Sequence, residues 1–154
     1  MRIRYLVAVF LISLALSCQT MATCSVSVPT VGFGNVSTSS SKTTSVTASV
    51  TCSALISLIV SYTLKFSTGS ANIYNPRNMK NSNSNILTYN LYKDAAHSQI
   101  LGNGTSSTVT IQDSYLLALG PVTRNYTIYA SLPAQPLAYV GNYQDTITVT
   151  LTQP

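Results

Sequence analysis

Between Ile56 and Phe66 the chain is apolar at every even position, Ile56, Leu58, Val60, Tyr62, Leu64 and Phe66, and polar at most of the odd ones, Ser57, Ser61, Thr63 and Lys65. Side chains that alternate with period two divide between the two faces of a strand and cannot share one face of a helix, so the segment predicts a strand with one buried side. The last stretch of the sequence reads the same way. Ile147, Val149 and Leu151 alternate there with Thr146, Thr148, Thr150 and Thr152, nearly all β-branched. Such a final strand must find partners on both sides, or leave one row of N–H and C=O groups open to another chain. What lies against that open side is therefore the functional question.

The remaining segments predict more short strands. Cys24-Ser-Val-Ser-Val28 alternates, Pro29 interrupts it, and Val31-Gly-Phe-Gly34 resumes it, as suits a first strand at a sheet edge, where a missing N–H is tolerated. Val46, Ala48, Val50 and Cys52 fall on one face of a second strand. After the strand ending at Phe66 comes a long crossing through Asn75-Pro76 and Asn81 to Asn85, too rich in Asn and Ser for an element interior. Leu87, Tyr89 and Leu91 restart the alternation, Gly102-Asn-Gly-Thr105 is a turn, and Val109 with Ile111 marks a short strand. Tyr115-Leu-Leu-Ala-Leu119 is an apolar run without alternation, and Tyr126 with Ile128 opens the penultimate strand. Strands separated by Gly, Pro and Asn turns, with no helical stretch, describe an all-β sandwich of Greek-key type.

Met1 to Ala22 has the form of a secretory signal: Arg2 and Arg4, an apolar run from Leu6 to Leu16, and small residues at Thr20-Met-Ala22. The expected division is therefore a signal peptide over 1–22 and one domain over 23–154, exported, with no lipid anchor at Cys18. Removal of the signal leaves Cys24 and Cys52, which in an oxidising compartment predict one disulfide. Cys52 lies on the apolar face of its strand, where a buried bridge belongs.

Only 7% of the residues are charged, and Asp94, Asp113 and Asp145 with the single His97 are a thin inventory for acid–base catalysis. No Gly-x-Ser-x-Gly elbow, cofactor motif or metal-ligand spacing is present, so neither an enzyme nor a cofactor is expected. The basic residues Lys42, Lys65, Arg77, Lys80, Lys93 and Arg124 are scattered, without the stripe that nucleic-acid binding would want. Two apolar runs beside Gly or Pro, with Tyr115, Leu116 and Leu117 in one and Leu137 and Tyr139 in the other, are candidate adhesive tips.

Taken together, Cys24-Ser-Val-Ser-Val28 with Val31-Gly-Phe-Gly34, Val50-Thr-Cys52, Tyr62-Thr-Leu-Lys-Phe-Ser-Thr-Gly69, Arg77-Asn-Met79, Leu87-Thr-Tyr-Asn-Leu-Tyr-Lys-Asp94, Leu132-Pro-Ala-Gln135 and Gly141-Asn-Tyr-Gln-Asp-Thr-Ile-Thr-Val-Thr150 resemble the spore coat protein U domain family. That family also makes the subunits of archaic chaperone-usher pili. Ala130 and Leu101 depart from its usual Gly and Trp. The resemblance implies an immunoglobulin-like sandwich that lacks its last strand and is completed by a neighbour. Its implied partners are a periplasmic pilus chaperone, an outer-membrane usher and a neighbouring subunit that supplies a donor strand. The implied role is surface attachment or biofilm formation. The residues expected to line the acceptor groove are Ile147, Val149 and Leu151, with Val26 and Val28 opposite. A cut after Ala22 would leave only Thr23 ahead of Cys24, so such a subunit is expected to accept a strand and not to give one. A free-standing secreted binding module, or a spore coat structural protein, is the alternative at this stage.

Overall fold

The computed structural model describes residues 22–154, so the expected signal, apart from Ala22, and Cys18 lie outside the described residues. Eight strands follow: β1 (Thr23–Ser27), β2 (Lys42–Ser53), β3 (Leu58–Phe66), β4 (Arg77–Lys80), β5 (Ile86–Tyr92), β6 (Ile111–Leu117), β7 (Val122–Leu132) and β8 (Val149–Thr152). They form a five-stranded sheet in the order β1-β2-β7-β5-β4 and a three-stranded sheet in the order β6-β3-β8. Every ladder is antiparallel. The connections β2 to β3, β3 to β4, β5 to β6, β6 to β7 and β7 to β8 each change sheet, which gives the immunoglobulin-like Greek-key sandwich that the alternation predicts.

The inward faces interlock as the period-two pattern requires. Val60, Tyr62, Leu64 and Phe66 of β3 are buried in one cluster with Ala48, Val50 and Cys52 of β2 and with Ile128, Ala130 and Leu132 of β7. Full burial of each large side chain contributes about 1.5–3 kcal/mol. Cys24 lies directly opposite Cys52 in the β1–β2 register, and the two form the disulfide, 28 residues apart in sequence.

Four boundaries differ from the sequence reading. β1 stops at Ser27, because Pro29 cannot donate to the ladder, and Val31 to Gly34 does not rejoin it. β3 starts at Leu58, which leaves Ile56 half-exposed in the preceding turn. The polar crossing contains a strand after all, β4, whose Arg77 is fully buried. Lastly, β6 runs through Leu117, with Ile111, Asp113, Tyr115 and Leu117 turned inward. Asp113 breaks the apolar alternation and hides the strand, yet its inward carboxylate is satisfied: Tyr126 donates to Asp113 Oδ2 at 2.6 Å.

Candidate binding groove

Where β1 ends, the two sheets part. The irregular segment after Ser27 forms one lip with Val28, Val31 and Phe33, and the approach to β8 forms the other with Tyr143, Ile147 and Val149. Between them lies an open groove of about 440 Å³, floored by Phe66, Leu91 and Ile128 of the core. Phe33 stands edge-on to Tyr89, ring centres 6.3 Å apart. The groove is thus an extension of the hydrophobic core to the surface, and exposed apolar area of this kind marks a binding site more often than a resting surface.

β8 borders the groove and is the outermost strand of its sheet. It pairs with β3 from Phe66↔Val149 to Thr63↔Thr152, and among the described residues no strand pairs with its other side. Ahead of β8, Tyr143, Asp145 and Ile147 continue the alternate burial without a continuous ladder. Separate bonds fix this stretch instead: Ser67 N donates to Thr148 O at 3.0 Å, Thr148 N to Ser67 Oγ at 2.9 Å, and Lys80 N to Gln144 O at 3.0 Å.

The turn after β3 is shaped to receive that lip. Gly69 has φ of +67°, and a Cβ there would lie 2.8 Å from Ile147 Cδ1 and still closer to the Asp145 carboxylate, so the position demands glycine on two counts. Asp145 accepts from Ser70 N at 2.9 Å and from the Tyr89 hydroxyl at 2.8 Å. Burial, and then the bond to Asp145, pushes the Tyr89 hydroxyl far above its ordinary pKa. Behind the turn, Arg77 donates from Nε and Nη2 to the carbonyl of Ser67, the residue that holds Thr148.

Of the residues expected from sequence to line a groove, Val28, Ile147 and Val149 come together here. Val26 and Leu151 pack half-buried against the core, outside the groove lining. Val31, Phe33 and Tyr143, not singled out in the sequence, complete the lips. Among the proposed adhesive residues, Leu116 is 69% exposed, but Leu117 is fully buried and Tyr115 packs against the core; both point inward from β6 and are not tip residues. Leu137 and Tyr139 are exposed in the β7–β8 loop. His97 packs edge-on against Tyr92 and Tyr129. Among the described residues no group of three or more His, Cys, Asp or Glu could hold a metal ion.

Comparison with known proteins bears on this geometry. A solved structure, described as the CsuC-CsuE chaperone-tip adhesion subunit pre-assembly complex from archaic chaperone-usher Csu pili of Acinetobacter baumannii, matches over 85% of this chain with a TM-score of 0.55 and 20% identity. The likeness is one of fold, and it covers 39% of that chain. No curated protein matches. The family profile described as Spore Coat Protein U domain matches residues 10–150, so the chain belongs to the spore coat protein U domain family.

Proposed function

We propose that the protein is an exported subunit of a chaperone-usher pilus, whose groove receives an extended strand from a neighbouring subunit. The observation that carries this is the edge of β8, unpaired among the described residues, beside an apolar groove open between the sheets. A strand laid there would pair its backbone with β8 and drop alternate side chains against Phe66, Leu91 and Ile128, the two components of recognition by strand addition. Val28, Ile147 and Val149 would be walls of that site. Family membership and the shared fold support the assignment. Before assembly the same edge needs cover, the part of a periplasmic chaperone, and an outer-membrane usher would mediate the exchange. Surface attachment or biofilm formation would be the role of the finished fibre.

The test is production in a periplasm with and without the cognate chaperone. The subunit is expected to be degraded or to aggregate when produced alone and to be recovered as a soluble 1:1 complex when the chaperone is present. A stable, soluble monomer in the absence of chaperone would overturn the proposal in favour of a self-contained secreted module.

A further inference from the structure

We propose that the β7–β8 loop, through Leu137, Tyr139 and Val140, is the seat for the body of the subunit whose strand enters the groove; this rests on the strand-acceptor reading above. Strand polarity leads to it. β8 runs from Val149, opposite Phe66, to Thr152, opposite Thr63, and every strand-to-strand ladder among the described residues is antiparallel. A strand added in the same sense runs from the Thr152 end of the groove toward Tyr143. Its C-terminal end, and the domain that follows it, therefore emerge beside the approach to β8.

That end carries the β7–β8 loop, since β7 finishes at Leu132, opposite Lys42, and the chain returns from there to Val149. Leu137, Tyr139 and Val140 are 95%, 68% and 100% exposed, with no charged residue from Pro133 to Gln144. The loop is not slack. Gln135 N donates to Thr38 O at 2.7 Å, its side-chain amide bonds both backbone groups of Thr88 at 2.8 and 2.9 Å, and the Tyr143 hydroxyl donates to Tyr139 O at 2.7 Å. A fixed frame thus presents apolar side chains to water, which is costly unless another surface covers them.

The opposite end of the sandwich supplies the complementary surface. β1 begins there, with Thr23 opposite Ser53, so any segment preceding β1 leaves from that end. Leu55, Ile59, Leu116 and Leu119 are exposed there, at 89%, 72%, 69% and 74%, and Ile59 pairs with Leu116 across β3 and β6. A donor built on the same plan brings this uncharged apolar end against Leu137, Tyr139 and Val140. The two faces differ, so the contact is heterologous, with this chain offering the loop and the donor subunit its β1 end.

The experiment compares the unmodified chain with Leu137→Ser/Tyr139→Ser/Val140→Ser, with Val140→Ser alone, and with Ile73→Ser, an exposed apolar residue outside the loop. One measurement, on chains released from the chaperone complex and refolded, is the rise in thermal midpoint caused by a peptide of alternating Val and Thr, about ten residues long to match the groove edge. The other is the rate at which fibres sheared from producing cells dissociate in detergent. The peptide, which has no domain attached, is expected to stabilise all four chains equally, while fibres of the triple variant dissociate about tenfold faster, those of Val140→Ser by a smaller factor, and those of Ile73→Ser unchanged. Equal dissociation rates with the peptide effect intact would overturn the docking seat alone. Failure of the peptide to stabilise even the unmodified chain would overturn the acceptor reading itself.

Discussion

Arg77 Nη1 donates a 2.7 Å hydrogen bond to Oδ1 of Asn90, and both side chains are buried between the sheets. The same guanidinium reaches the carbonyls of Ser67 and Leu101, so one side chain satisfies acceptors from three segments, without a buried carboxylate partner. Burial draws its pKa below the ordinary value, against the opposing pull of Tyr89, Tyr74 and Asp145. Arg77→Ala removes the largest fully buried side chain and strands these acceptors, with an expected loss on the order of 3–5 kcal/mol by chemical denaturation. Arg77→Lys should recover less than half of that loss, because an ammonium cannot reproduce the planar fork.

Leu116 and Leu117 are neighbours in sequence on opposite faces of β6. Leu117→Ser places a hydroxyl in a fully buried site and is expected to cost about 3 kcal/mol or more, whereas Leu116→Ser should stay within about 0.5 kcal/mol. Denaturant midpoints of the two variants check the pair directly, and equal effects would contradict the assigned register.

The Cys24–Cys52 bridge closes a 28-residue interval at the start of the fold. In the chain-entropy account this stabilises the sandwich by about 3–4 kcal/mol. Cys24→Ser/Cys52→Ser should therefore lower the denaturant midpoint and sharply reduce the yield of folded protein. Thiol titration of the unmodified protein under denaturing, non-reducing conditions should find neither cysteine free.

Four tyrosines hold their protons more tightly in the folded protein than in an unfolded chain. Burial is the main cause for Tyr62, Tyr89, Tyr115 and Tyr126, reinforced by the carboxylates of Asp145 at Tyr89 and Asp113 at Tyr126. Below the ordinary tyrosine value of 10.0 both states are protonated and the contribution of these groups is complete. Above it the unfolded chain releases protons that the folded chain retains, so stability falls as pH rises. Urea midpoints measured from pH 7 to 11 should be nearly flat as far as these tyrosines contribute and then decline from about pH 10. Tyr89→Phe and Tyr126→Phe should each reduce that decline.

β2, β3 and β7 were legible because their inward residues are uniformly apolar and period two needs nothing more. β6 was obscured by Asp113, an inward carboxylate whose partner Tyr126 is distant in sequence, and β4 by Pro76 and Asn81 around a core-facing Arg77. The groove followed the same division. Val28, Ile147 and Val149 were visible as strand residues, but Phe33 and Tyr143 become lips only because β1 ends before Pro29 and the sheets separate there. No local pattern encodes a space between two remote segments.

The lips of the groove, Val28 to Phe33 and Tyr143 to Val149, come from opposite ends of the domain, and among the described residues β8 finds its strand partner in β3, some 85 positions earlier (Phe66↔Val149, Thr63↔Thr152). Contacts of such long sequence separation form late, since much of the chain must be ordered before they close. A chain that emerges with its N-terminus first can pair β1 with β2 and lay β7 beside β2 while the groove still has only one wall. Binding competence is thus tied to completion of the polypeptide: a protein cut short before Tyr143 lacks both the second lip and the β8 edge along which an added strand would pair.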